Sequence, residues 1–207
     1  MSEGGLRYDR LSLHGQDMWL TIVGAEGAPT LVVLPPLFEE LNRTRALLLQ
    51  TMRALATQGW RCVLPDLPGT GESEAALETV EWRHWRDAAT AASEGAAAAL
   101  SVRGGTLLDD VIARRWRLSP VAGAALVRDL ERTALTGASG YAPSPALLDA
   151  LREAEPAGEA PTARLASDPA PADIRFEAAP LWRRSEPAGS PALAEELAAW
   201  IGPCAAC

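Results

Sequence analysis

Lysine is missing: among 207 residues all 19 basic side chains are arginine. That removes the phosphate-gripping lysine of a P-loop and any lysine Schiff base, and with them the enzyme classes built on those groups. Histidine is almost as scarce, with only His14 and His84, so few imidazoles exist for base or metal chemistry. Cysteine is too sparse for a disulfide framework, and Cys62 sits in an apolar run, the ordinary place for a small buried thiol. Cys204 and Cys207 form a C-x-x-C pair that also fits the C-a-a-X format. Without a second pair or a polybasic stretch, neither metal binding nor lipidation follows, and no cofactor is implied. Long apolar runs are absent too, and those present, such as 96–100, are far too short to span a membrane. Residues 1–5 lack the basic and apolar regions of a secretory signal, so a cytoplasmic location is expected.

Positive charge is also in deficit. A formal net charge of -8 opposes binding to nucleic acid, where clustered cations must neutralise phosphate. The expected partner is a protein or small-molecule ligand of unknown identity. The bias toward Arg, Ala, Pro and Gly fits a genome rich in G and C and carries no functional weight.

What is present is the patterning of one α/β domain, expected to span residues 1–207. Short β-type runs at 11–14 and 18–23 flank a turn at 15–17, which predicts an opening hairpin. Thr30–Leu34 is apolar throughout and closed by Pro35 and Pro36, as a strand buried on both faces would be. Ala46, Leu47, Leu49, Met52, Leu55 and Ala56 recur at helical spacing within 43–58, with Asn42 placed to cap and Gly59 to terminate. A second buried strand at 60–64 completes a strand, helix and strand unit, whose right-handed crossover requires a parallel sheet. Further on, helices are expected at 78–94, 106–114, 121–134, 144–155 and Pro191–Ile201, and strands at 96–101, 116–118 and 174–177. The Pro- and Gly-rich stretch 137–173 reads as a cap-like insertion.

In sheets of this kind ligands bind beyond the carboxyl ends of the strands, here the loops after Leu34, Leu64, Ser101 and Phe176. The loop 65–73 holds a G-x-G with no third glycine opening a helix, so dinucleotide binding is a weak reading. Asp66, Gly69, Gly71 and Ser73 form a structural loop instead. Their D-x-x-G-x-G-x-S pattern resembles the α/β-hydrolases, in which the next strand leads to a nucleophile elbow, G-x-S-x-G. This chain reads Ser101-Val102-Arg103-Gly104-Gly105 there. Aligning Gly105 with the final glycine puts Ser101 at the first glycine and Arg103 at the nucleophile, and a guanidinium cannot attack a carbonyl. Both histidines precede this elbow, whereas the triad histidine should follow the last strand, where the chain reads Ala178-Ala179-Pro180-Leu181-Trp182. Asp168 falls near the place of the triad acid, but the stretch from it to Phe176 is short for the usual intervening helix, and it is set aside.

A closer resemblance covers most of the chain. Residues 35–45, Pro-Pro-Leu-Phe-Glu-Glu-Leu-Asn-Arg-Thr-Arg, are similar to a P-P-F-x-E-E-x-N-x-x-R motif, and 102–105 to an L-R-L-G elbow. Further matches are Pro120-Val121-x-Gly123, Gly140-Tyr141-x-x-Ser144-Pro145-Ala146-Leu147, Pro180-Leu181-Trp182 and Pro191-Ala192-Leu193. Together they resemble the α/β-hydrolase-like proteins encoded with the exosortase A system, in particular the second of its two hydrolase families. The resemblance implies an α/β-hydrolase-like fold, with a mostly parallel central sheet, helices on both faces and a reduced cap region. It also implies a bacterial setting of exopolysaccharide production and exosortase-dependent sorting, and carries no substrate.

Glu39 and Glu40 follow the strand whose loop supplies an oxyanion-hole amide in active relatives, and their charge would repel a developing oxyanion. The expectation is that Arg103 pairs with Glu39 or Glu40, and that Glu39, Glu40, Asn42, Arg43 and Arg103 shape the pocket; the alternative is three solvated side chains. Trp82, Trp85, Trp116, Trp182 and Trp200 are expected in the core rather than on a sugar-stacking surface, and His84 on a helix surface. Two functions stand: a non-catalytic accessory protein, or a divergent esterase or thioesterase-like hydrolase using Ser101, Ser73 or Ser119 with an unconventional base. A degenerate paralogue without a surviving role is the third possibility.

Overall fold

The computed structural model describes residues 5–13, 15–135 and 142–204. His14, Cys207 and the Gly140-Tyr141 match lie outside the described residues. The strands are β1 (Arg7–Leu13), β2 (Gln16–Val23), β3 (Thr30–Leu34), β4 (Arg61–Pro65), β5 (Ala98–Val102), β6 (Arg115–Leu118), β7 (Thr162–Leu165) and β8 (Ile174–Phe176). The helices are α1 (Glu39–Thr57), α2 (Trp82–Ala92), α3 (Gly123–Leu135), α4 (Pro145–Glu153) and α5 (Pro191–Ile201).

One sheet joins all eight strands in the order β1-β2-β4-β3-β5-β6-β7-β8. The opening hairpin is antiparallel, β2 meets β4 antiparallel, and every pairing from β4 to β8 is parallel. Alternate residues of β3 feed two cores. Leu31 and Val33 join the core under α1 and α5, whereas Val32 and Leu34 join the core under α2, α3 and α4. A strand covered on both faces has no polar side, which is why its sequence is a continuous apolar run. This strand order, with helices on both faces and a sharp turn after β5, is the α/β-hydrolase fold.

Several elements differ from expectation. Helix α1 begins at Glu39 with Phe38 at the N-cap in a left-handed conformation (φ 57°), so Asn42 lies inside the helix and caps nothing. The expected helix over 78–94 is a short 3-10 turn at Leu77–Thr79 followed by α2, because Val80 and Glu81 are extended. The expected helix over 106–114 is a 3-10 segment, Arg103–Val111. Within the stretch expected to be a cap-like insertion, Thr162–Leu165 is strand β7 and pairs with both β6 and β8. Burial pushes the Cys62 thiol up to about 12, the signature of an inert core cysteine.

Candidate functional site

Strand β5 ends at Val102 in extended geometry, and the next residue, Arg103, turns to φ 53°. A left-handed conformation costs a non-glycine residue on the order of 1 kcal/mol and persists only where its surroundings impose it. Gly105 shows what imposes it: a Cβ there would overlap the carbonyl oxygens of Leu34 and Pro35, so the turn nests against the end of β3. Thr106 Oγ1 donates to the Arg103 carbonyl at 2.7 Å. A cation therefore stands at a strained turn between a sheet strand and a 3-10 segment, the kind of place from which a nucleophile elbow projects its Ser.

Arg103 reaches across the carboxyl ends of β5 and β3 to Glu40 in the first turn of α1. Its Nε donates to both carboxylate oxygens at 3.2 and 3.1 Å, and Nη2 to Oε1 at 2.8 Å. Both side chains are mostly covered, at 11% and 15% exposure, which distinguishes this from a solvated surface pair. Burial pushes the Glu40 carboxyl above its ordinary value, the Arg103 charge pulls it back, and the net direction is upward. Glu39 faces Arg43 instead, at 3.6 Å.

Groups from the loops after β8 and β7 stand near Arg103. After β8, where the imidazole of a hydrolase would stand, Trp182 lies under Arg103, with Cζ 4.9 Å from the ring centroid. The Trp182 carbonyl accepts from Arg43 Nη1 at 3.1 Å, which fixes the loop. Asp168, set aside on sequence, falls just past β7, the strand whose end carries the acid. It accepts from Arg164 Nη1 at 2.6 Å and from the Ala170 N–H at 3.0 Å. Its burial would raise the carboxyl, but the Ala170 N–H, Arg164 and the charge of Arg103 outweigh that and hold it below the ordinary value.

Arg103, Glu40 and Trp182, but not Asp168, border a cavity of about 610 Å³, with apolar walls from Leu37, Phe38, Leu126 and Leu130. Glu39, Glu40, Arg43 and Arg103 line it; Asn42, exposed on α1, does not.

Of the serines, Ser101 is fully buried and donates to Asp109 Oδ2 at 2.7 Å, away from the cavity lining. Asp109 is buried too, held by Arg117 through Nε and Nη2 at 2.8 Å each, with Arg115 Nε 3.3 Å away. Ser119 has φ 49° and a buried hydroxyl without a partner. Ser73 accepts from the Gly69 and Ala75 amides, which makes it part of the loop's own wiring. Asp66 anchors that loop by accepting from Arg45 at 2.8 Å and from the Glu72 N–H at 3.2 Å, and Gly71 leaves the room its carboxylate fills. Ser73 and His84 both line a second pocket of about 220 Å³. The His84 Nδ1 accepts from the Glu81 N–H at 3.1 Å, closing a capping box for α2. Among the described residues no three His, Cys, Asp or Glu side chains are grouped to hold a metal ion, and no helix is long and apolar enough to cross a membrane.

No family model matches the chain, and no curated protein does. Solved structures with a similar backbone course include epoxide hydrolase A from Mycobacterium thermoresistibile, 22% identical over 64% of this chain and 46% of that one, with a TM-score of 0.46. An epoxide hydrolase from Vigna radiata is 20% identical over 55% and 40%, with a TM-score of 0.43. The thioesterase domain from the curacin biosynthetic pathway is 18% identical over 50% and 38%, with a TM-score of 0.41. The chain spans less than half the length of each. Similarity at that level says nothing about activity, and the fold assignment rests on strand order and the elbow.

Proposed function

We propose that this chain is a non-catalytic protein on an α/β-hydrolase scaffold, a binding or accessory module whose pocket is shaped by Glu39, Glu40, Arg43 and Arg103. One observation carries the proposal: the tip of the elbow is a guanidinium already engaged by Glu40. Arginine stays protonated at any ordinary pH, so no change of conditions turns this group into an attacking base or nucleophile. The partners of a nucleophile are replaced with it, by Trp182 beneath the cation and by carboxylates near the usual oxyanion position. The motif resemblance supports a setting in the bacterial exosortase and exopolysaccharide system, in the cytoplasm.

The test is turnover of p-nitrophenyl butyrate and of an acyl thioester. The native protein should match the buffer blank, and Arg103→Ser should create no activity, because His84 is engaged at Glu81 and does not line the cavity. Clear turnover by the native protein would overturn the proposal.

A second reading, a divergent serine hydrolase, is favoured by the shared pocket of Ser73 and His84. Against it, the Ser73 oxygen accepts from two amides and has no base at its proton. Turnover abolished by Ser73→Ala, and retained in Ser101→Ala and Ser119→Ala, would establish it.

A further inference from the structure

The cavity at the elbow combines three features. The first is charge. Glu39, Glu40 and Asp129 each face an arginine of the same cavity, namely Arg43, Arg103 and Arg132. Arg183, exposed in the wall, has no carboxylate partner among the described residues. In a chain of net charge -8, the cavity is left with one unmatched positive charge.

The second is unmet hydrogen bonding. Arg43 Nε is buried with no acceptor, the Glu39 oxygen standing at 3.6 Å. Arg103 commits its Nε and Nη2 to Glu40, while its Nη1 finds only the Ser119 carbonyl at 3.5 Å. Arg43 Nε is out of a solute's reach, but Arg103 lines the cavity, and an oxygen-bearing anion would give its weakly engaged Nη1 a better acceptor. The third is the apolar wall of Leu37, Phe38, Leu126 and Leu130, in a volume typical of small-molecule sites.

We infer that this cavity binds an amphipathic monoanion: a carboxylate held by the weakly engaged Nη1 of Arg103 under the charges of Arg43 and Arg183, with an aliphatic tail against the leucines and Phe38. The inference rests on the non-catalytic reading in one respect, that the ligand is held and not turned over. A cationic amphiphile is disfavoured because every carboxylate in the lining already has its arginine.

The experiment is calorimetric titration of the native chain with decanoate, decylamine and methyl decanoate, with product analysis of the ester. Decanoate should bind at least about tenfold tighter than either of the others, one charge-assisted hydrogen bond being enough for that ratio. Arg183→Glu, a surface change that spares the fold, should weaken decanoate about tenfold, and Glu40→Gln with Arg103→Met should weaken it further. Decylamine binding as tightly as decanoate, no decanoate binding, or decanoate binding untouched by both variants would each overturn the inference. Hydrolysis of methyl decanoate would overturn the non-catalytic reading and leave the preference for the anion to be decided by decanoate against decylamine.

Discussion

Two arginine–carboxylate assemblies flank β5, and they differ in what covers them. Inside the sheet, Asp109 accepts from Ser101 and twice from Arg117, and Arg117 spends its other N–H groups on the carbonyls of Ala157 and Gly158 at 2.6 and 2.9 Å. At the elbow, Glu40 and Arg103 are equally well paired with each other but border an open cavity, and although each assembly leaves one buried Nε without an acceptor, Arg115 in the first and Arg43 in the second, only here does a guanidinium beside a cavity keep a weakly engaged Nη1. A buried ion pair contributes little net stability when complete, yet removing one partner is costly because it strands the other. The inner assembly thus reads as structural, tying the 157–158 turn to the sheet. The outer one reads as a site, since the strained backbone of Arg103 and its weakly engaged Nη1 lie beside a cavity.

The largest blow to this contrast should come from Asp109→Ala. It strands Arg117 and Arg115 and should cost about 3–5 kcal/mol in urea unfolding. Arg103→Ala leaves Glu40 unpaired beside a cavity that admits water, and should cost less, about 2–3 kcal/mol. Replacing both partners, with Glu40→Gln and Arg103→Met, should return stability to within about 1 kcal/mol of native; equal losses in single and double variants would deny that the pair is coupled. Ser101→Ala should cost about 1–2 kcal/mol, the value of one hydrogen bond to a buried carboxylate, with no change in ligand binding. The smallest effect is in pH. The folded protein holds the Glu40 proton more tightly than the unfolded chain, so this group's contribution falls as the pH rises from the ordinary carboxyl range through the raised value. The stability of the native protein minus that of Glu40→Gln should therefore decline from mildly acidic to neutral pH, and a rise would show the arginine prevailing over burial.

Much of the fold is legible in the residues because burial on both faces writes itself as unbroken apolar runs, as in β3 and β4. The closing helix is predicted at its observed bounds, since Pro191 after Ser190 sets its start and the Ser190 hydroxyl accepts from the Leu193 N–H. Strand β7 was hidden: four residues, Thr162–Leu165, among prolines and alanines, held by pairing on both sides rather than by propensity. This bears on the site: spacing alone puts Asp168 near the place of a triad acid, but without β7 nothing ties it to the end of a sheet strand, and the short stretch to Phe176 argues against it. The Arg103–Glu40 contact is foreseeable across 63 residues since adjacent parallel strands bring their following loops together. The stacking of Arg103 on Trp182 is not, because nothing local distinguishes that tryptophan from those in the core. Asn42 misled as a cap because Phe38, in a left-handed turn, starts the helix one turn earlier.

On this reading no serine among the described residues is activated. Treatment of the native protein with a fluorophosphonate, read by intact mass and peptide mapping, tests it without any assumption about substrate. An unmodified mass after prolonged exposure is expected. A stoichiometric adduct on Ser73, Ser101 or Ser119 would contradict it.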